Sequence, residues 1–282
     1  MKLTILGSGG CMVIPKPLCR CRVCREAREK GIPYARGGPA AYIHDAGLLI
    51  DTPAEIAAQL NRERIRRLDY LMLTHLDPDH AEGLRVVEQV TLDFRTWRAY
   101  PDKCITLLLP AALEDPLRRI ATQYGPAIGH YLKGGFLKLE TFREETLAGE
   151  VRVTAVPVAG SRLPVFIYVY EKAGRKLVYA PCDIKPFPED RPEVRDADWL
   201  VIQPGIFESG LRHGYRYPAG HISRKALYTF EETLALAGRI GARRTVFTHL
   251  EEYWHRSYDD YKRLERGHAG IRFAYDGMKL TV

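Results

Sequence analysis

The hexapeptide His75-Leu76-Asp77-Pro78-Asp79-His80 gathers two imidazoles and two carboxylates in six positions. It follows the apolar run Leu71-Met72-Leu73-Thr74, which reads as a buried strand, and precedes a helical pattern over 81–90. Four ligand-type side chains on one strand-to-helix loop can converge on one or two divalent cations. The plainer reading is a loop of solvated charges in which Asp79 caps the next helix. That reading leaves two histidines flanking two aspartates without a purpose. Two further ligands suggest themselves. Leu73-Thr74-His75-Leu76 recurs as Phe247-Thr248-His249-Leu250, each copy after an apolar strand and before an acidic stretch. Asp183 follows the strand-like run 177–180 in Pro181-Cys182-Asp183, where a carboxylate can bridge two metals. A metal held there would lower the pKa of bound water and supply hydroxide near neutral pH.

A second cluster is Cys19-Arg20-Cys21-Arg22-Val23-Cys24, which holds three of the six cysteines. Three thiolates this close can bind a structural zinc if a fourth ligand comes from elsewhere. A redox thiol or simple burial is the alternative. Arg20, Arg22 and Arg25 favour thiolate in either case. Gly7-Ser8-Gly9-Gly10 lacks the Gly-Lys-Ser/Thr ending of a phosphate loop and reads as a tight turn under the metal site.

The elements that must position these groups alternate between strand and helix. Strands are expected over 2–6, 68–74, 105–109, 151–158, 165–171, 176–180, 200–203, 245–248 and 271–275. A hairpin over 41–51 should turn at Asp45-Ala46-Gly47. Helices are expected over 54–65, 113–122 and 258–266, and one long helix over 223–240 with Ser223 as N-cap and Gly241 as stop. This mixture predicts an α/β chain of mixed sheets covered by helices. A single domain over 1–282 is expected, in two halves with a seam near 133–150 and a cysteine loop at 11–25. Phe166 to Tyr170 reads either as a buried strand or as a surface that pairs with a second copy in a homodimer.

The 282 residues can bury a large core. No apolar run reaches membrane-spanning length, and the opening Met1 to Gly7 is too short for a signal peptide. A cytoplasmic protein without a membrane partner is therefore expected. The net charge of +7 and pI near 9.0 point to an anionic partner, first a small phosphoester and second a nucleic acid. They also suit a heat-adapted, arginine-rich surface. The scarcity of amides, with Asn61 the one asparagine, agrees with a thermophile source.

His75-x-Asp77-x-Asp79-His80 resembles the His-x-His-x-Asp-His signature of the metallo-β-lactamase superfamily. Gly7-Ser8-Gly9, Leu49-Ile50-Asp51, Tyr179 to Asp183 and Thr248-His249 fall in the order the resemblance requires. It implies a four-layer αββα sandwich with a metal site along one edge. It also implies catalytic-site ligands His75, Asp77, Asp79, His80, Asp183 and His249, with Asp79 orienting a metal-bound hydroxide. This sequence departs twice. Asp77 stands in place of a histidine, and Ala159-Gly160 stands where a third-motif histidine is expected. The position served by Asp79, His80, Asp183 and His249 keeps its ligands. The one served by His75, Asp77 and Asp183 loses an imidazole and should favour a harder ion, manganese or iron over zinc. One or two divalent metals (Zn, Mn or Fe) are thus implied.

The cysteine cluster and Tyr275-Asp276-Gly277-Met278 resemble the cyclic-phosphate phosphodiesterases of the phosphonate pathway. The first 51 residues also resemble the B proteins of pyrroloquinoline quinone biosynthesis. These branches imply a structural zinc on Cys19, Cys21 and Cys24. The position of their fourth ligand is Glu252 here. His255, one turn on, is preferred as the ligand, with Glu252 or Cys11 as alternatives. Gly220-His221-Ile222-Ser223 resembles a Gly-His motif whose histidine protonates a leaving oxygen, so His221 is the general-acid candidate beside a packing or capping role. His213 and His44 are lesser candidates, and His130 and His268 read as surface. The expected activity is metal-dependent hydrolysis of a small or cyclic phosphodiester, with Arg162 one candidate for phosphoryl contact. The alternatives are an iron-dependent oxidoreductase and a catalytically weak metal-binding scaffold.

Overall fold

The computed structural model describes residues 1–160 and 163–282, so Arg162 lies outside the described residues. Two seven-stranded sheets form its centre. The first runs Leu137–Phe142, Ile105–Pro110, Tyr70–Met72, Leu48–Ile50, Ala40–Ile43, Lys2–Gly7 and Met278–Thr281. The second runs Glu145–Ala148, Val151–Pro157, Phe166–Lys172, Arg175–Ala180, Trp199–Ile202, Thr245–Phe247 and Ile271–Phe273. Both are mixed: hairpin-joined strands such as Val151–Pro157 and Phe166–Lys172 pair antiparallel, and strands separated by helices, such as Leu48–Ile50 and Tyr70–Met72 or Trp199–Ile202 and Thr245–Phe247, pair parallel.

Alternation along the strands builds the layers. Tyr168, Tyr170 and Tyr179 pack into the core shared by the two sheets, together with Leu49, Leu71 and Leu107. Their neighbours Ile167, Val169 and Val178 face the other way, onto Phe230, Leu236 and Tyr261 of the outer helices. Successive strand side chains point to opposite faces, so each central strand is apolar on both. The result is an αββα sandwich. The run Phe166 to Tyr170 is buried mid-sheet, which rules it out as a pairing surface. Among the described residues, no helix is long and apolar enough to cross a membrane.

Several expected elements change form. The long helix over 223–240 is two pieces, Ser223–Ala226 and Phe230–Arg239, because Leu227 is extended. Ser223 makes no cap. Thr229 does, in a capping box with Glu232, and Gly241 follows the helix in the left-handed region. The pattern over 81–90 breaks into Pro78–Ala81, a 3-10 turn Glu82–Arg85 and Val86–Thr91. The expected helix over 113–122 shortens to Glu114–Arg118. The strands Leu137–Phe142, Glu145–Ala148 and Met278–Thr281 were not expected; the last pairs with the first strand, Lys2 opposite Thr281.

Candidate metal centre and the pocket beside it

The strands that carry the ligands end at one edge of the sandwich. Tyr70–Met72 belongs to the first sheet, and Arg175–Ala180 and Thr245–Phe247 to the second. The sheets are tied together just before the hexapeptide: Phe166 N donates to Thr74 O (3.0 Å) and the Tyr168 hydroxyl to Leu73 O (2.6 Å). Asp51, Asp183 and His249 all take left-handed backbone, with φ of 62, 49 and 58°. That conformation costs roughly 1–3 kcal/mol at each non-glycine residue, and it turns the chain sharply enough to aim each side chain back over the strand ends. Gly10 approaches from the first sheet so closely that a Cβ there would run into the Glu251 carboxylate and His249 Nδ1.

Asp79, His80 and His249 form one group, and His75, Asp77 and Asp183 another. In the first, Asp79 Oδ2 lies 3.3 Å from His249 Nε2 and 3.5 Å from His80 Nε2, and the two nitrogens are 3.3 Å apart. Three tetrahedral ligands at about 2.1 Å from one ion stand about 3.4 Å from each other. The triangle therefore has the dimensions of a first-row metal site.

Two of the histidines are tied in the same sense. His80 Nδ1 bonds Asp51 Oδ2 at 2.9 Å and His75 Nδ1 bonds the Thr74 hydroxyl at 3.0 Å, while His249 Nδ1 lies 3.3 Å from Glu251 Oε1 as an ion pair without hydrogen-bond geometry. At His80 and His75 the partner engages Nδ1 and leaves Nε2 to present its lone pair. His75 Nε2 is buried and finds no hydrogen-bond partner among the described residues. Such an orphan is costly unless a cation takes its lone pair. Asp51 is itself held by the Thr74 amide and hydroxyl, and Glu251 by the amides of Cys11 and Met12.

Burial pushes both His75 and His80 down to about 3, so both rings are neutral. Burial also opposes charge on Asp79, but His249 and His80 outweigh it and hold the carboxyl below the usual range. At His249 burial works against the proton, yet Cys182, Asp79 and Glu251 raise its pKa well above the ordinary value. Within the triangle, His80 is therefore neutral and His249 holds its proton against the Asp79 carboxylate. Burial pushes Asp51 up to about 7 and Cys182 up to about 12.

The cysteine cluster forms a separate group with Glu252, not with His255. Glu252 Oε1 lies 3.4, 3.2 and 3.6 Å from the sulfurs of Cys19, Cys21 and Cys24. Sulfur and oxygen ligands of a tetrahedral zinc stand about 3.5 Å apart, so the set has zinc-site spacing. His255 is carried away by its left-handed turn at φ 55°, and Cys11 contacts Glu251 instead. Arg212 grips both Glu252 oxygens, at 2.9 and 3.1 Å; burial opposes the charge, but hydrogen bonds from Cys21 and Cys19 and then Arg212 hold the carboxyl below its usual range. Cys21 caps the helix Arg22–Lys30, its sulfur accepting from Cys24 N, and Lys16 N donates to Cys24 Sγ.

Two cavities flank the centre. One of about 370 Å³ is lined by Gly10, Pro53, Asp77 and Asp79. The other, about 460 Å³, is lined by Arg212, His213, Tyr215, Tyr217, His221 and Tyr253. Tyr253, next to Glu252 in the chain, lines this cavity, and burial and then the charge of Glu251 raise its phenol pKa. His221 stacks edge-on against Tyr217 (4.9 Å between centroids), and its Nδ1 accepts from Ser223 N. The neutral ring then carries its proton on Nε2. His44 pairs with Thr4, and His130 lies near Glu88. Ser8 forms no phosphate cradle; its amide and hydroxyl both donate to buried Asp276.

Asp51, Glu251 and Cys182 were given no role by sequence reasoning. Signals for two existed: Asp51 ends a strand beside the hexapeptide strand, and Glu251 opens the acidic stretch after the repeated Thr-His-Leu.

The fold is that of the metallo-β-lactamase class, and two groups of ligand-type residues at its edge are spaced to hold divalent metal. The chain belongs to the beta-lactamase superfamily domain family, whose pattern matches residues 47–250. A diphosphatase of the PhnP family superposes over 100% of this chain and 97% of its own with a TM-score of 0.73 at 23% identity. Zinc-bound PqqB from Methylobacterium extorquens superposes over 100% of both chains with a TM-score of 0.75 at 18% identity. An octanoyltransferase of Porphyromonas gingivalis is 25% identical over 286 residues, and the chain spans 52% of that protein's length.

Proposed function

We propose that the protein hydrolyses a small or cyclic phosphodiester. The observation that carries this reading is the meeting of two ligand groups at one sheet edge, Asp79–His80–His249 and His75–Asp77–Asp183, beside a cavity lined by Asp77 and Asp79. Asp79, His80 and His249 would hold one divalent ion, and His75, Asp77 and Asp183 a second. Such ions supply Lewis acidity toward phosphoryl oxygen and acidify bound water. The chain's residues do the rest. Asp79, partly buried, holds its charge and accepts hydrogen bonds there. The cavity of Arg212, His213 and His221 offers donors to an anion, with Tyr215 and Tyr217 to pack on the organic part. His221, which lines that cavity and accepts at Nδ1 from Ser223 N, would donate from Nε2 to the departing oxygen. Full proton transfer requires the ring to carry both protons and give up its bond from Ser223 N.

The test is turnover of bis(p-nitrophenyl) phosphate with added manganese, zinc or iron. Asp79→Ala should abolish it. His221→Ala should slow an alkyl phosphodiester far more than the nitrophenyl ester, whose leaving group needs no proton. No turnover of either ester by metal-loaded protein, or equal losses on both, counts against the assignment.

A further inference from the structure

Cys182 Sγ lies beside His75, a residue of the second ligand group. The strand Arg175–Ala180 delivers Pro181-Cys182-Asp183 to the sheet edge, and the left-handed turn at Asp183 leaves both side chains facing the centre. The sulfur and the ring nitrogens of His75 and His80 lie within 4.8 Å of one another. It also faces the His249 ring and the Asp183 carboxylate. His75, whose buried Nε2 has no hydrogen-bond partner among the described residues and whose side chain is about 2% exposed, is common to this group and to the set His75, Asp77 and Asp183. A structural thiol would have no need of three imidazoles and a carboxylate around it.

We propose that Cys182 is a sulfur ligand of the second catalytic metal position, beside His75, with Asp77 and Asp183 supplying oxygen. It stands in for the third-motif histidine that Ala159-Gly160 lacks. This rests on the metal-dependent reading above, though not on the phosphodiester substrate. The thiol loses its proton to solvent when the ion binds. A thiolate reverses the preference that oxygen ligands alone would set. The position becomes suited to zinc, cobalt or ferrous iron and disfavours manganese and magnesium.

Cobalt(II) makes the ligand visible. Protein first given one equivalent of zinc for the Cys19–Cys21–Cys24 cluster is titrated with cobalt(II), and the near-ultraviolet thiolate-to-cobalt band is read. The wild type should develop the band with the second cobalt. Cys182→Ser should lose it, whereas Cys104→Ser, an exposed cysteine, should keep it. Visible cobalt bands of two bound ions without a difference between wild type and Cys182→Ser would overturn the sulfur ligand alone. No cobalt uptake beyond the cysteine cluster would overturn the metal-dependent reading with it. A second measurement uses the wild type and is independent of any folding defect. Cobalt-edge X-ray absorption of the wild type, with zinc kept on the cysteine cluster, should show a cobalt–sulfur path near the metal–thiolate distance of about 2.3 Å. A cobalt shell of nitrogen and oxygen alone overturns the proposal.

Discussion

Replacing Asp51 by asparagine should make the metal-free protein more stable and the metal weaker, two effects that few substitutions combine. In the wild type, Oδ1 accepts from the Thr74 amide and hydroxyl, and Oδ2 binds His80 Nδ1. Asparagine keeps the carbonyl oxygen for Thr74 and turns its NH₂ toward His80. Two donors then face each other, so the imidazole shifts its proton to Nε2, the atom that completes the triangle with Asp79 and His249. Loss of such an outer partner costs about 10–100-fold in metal affinity, roughly 1.4–2.7 kcal/mol. Stability moves the other way. Burial raises the Asp51 carboxyl to about 7 from an ordinary 3.8. The folded protein therefore retains this proton through a window in which the unfolded chain has released it. Stability falls across that window as pH rises, because the folded state binds more protons. Three pH units at about 1.4 kcal/mol each give roughly 4 kcal/mol by pH 8, a cost that a neutral asparagine avoids. Urea unfolding of chelated protein should show the Asp51→Asn advantage small near pH 4 and grown to several kcal/mol by pH 8. Competition with a chromogenic chelator at pH 8 should show the weakened zinc. Unchanged zinc affinity would refute the tautomer argument, and a stability difference flat with pH would refute the buried-charge argument.

Three other outcomes follow from the same geometry. Glu252→Ala should release zinc from the cysteine cluster, while Glu252→His should retain it, measured as zinc per chain after gel filtration. Retention by the alanine variant would mean that Glu252 is not the fourth ligand. Tyr168→Phe leaves the buried Leu73 carbonyl without its 2.6 Å partner and should cost about 1–3 kcal/mol in urea unfolding. Thr229→Ala should cost about 1 kcal/mol through the lost capping box, and Ser223→Ala only a few tenths, since it makes no cap; the reverse order would restore the single long helix.

The parts of this molecule that could be read in advance are those where local chemistry and global packing agree. Strands such as Val151–Pro157 and the hairpin turned at Asp45-Ala46-Gly47 declare themselves by β-branched content and a turn residue. The helix Tyr258–Arg266 matches its expected span because Ser257 and Asp260 box its start. The break at Leu227 was hidden because Ser223 and Thr229 are both acceptable caps, and tertiary contacts chose between them: Ile206 N and Phe230 N pin this stretch to the strand-end loop. Met278–Thr281 was hidden for another reason, being a four-residue edge strand whose pairing partner is the other end of the chain. The metal centre divides along the same line. Its Nε2 donors come from residues that advertise ligand chemistry by type and spacing. The groups that orient them, Asp51 29 residues before His80 in the chain and Glu251 beside Gly10, act through contacts that no spacing rule expresses. Glu252 shows how one residue can fall on both sides. By type it is a poor partner for three thiols, and His255 a better one. The left-handed turn at His255 and the grip of Arg212 on Glu252 reverse that order, because a buried carboxylate already held by a guanidinium can present one oxygen to a metal without standing uncompensated.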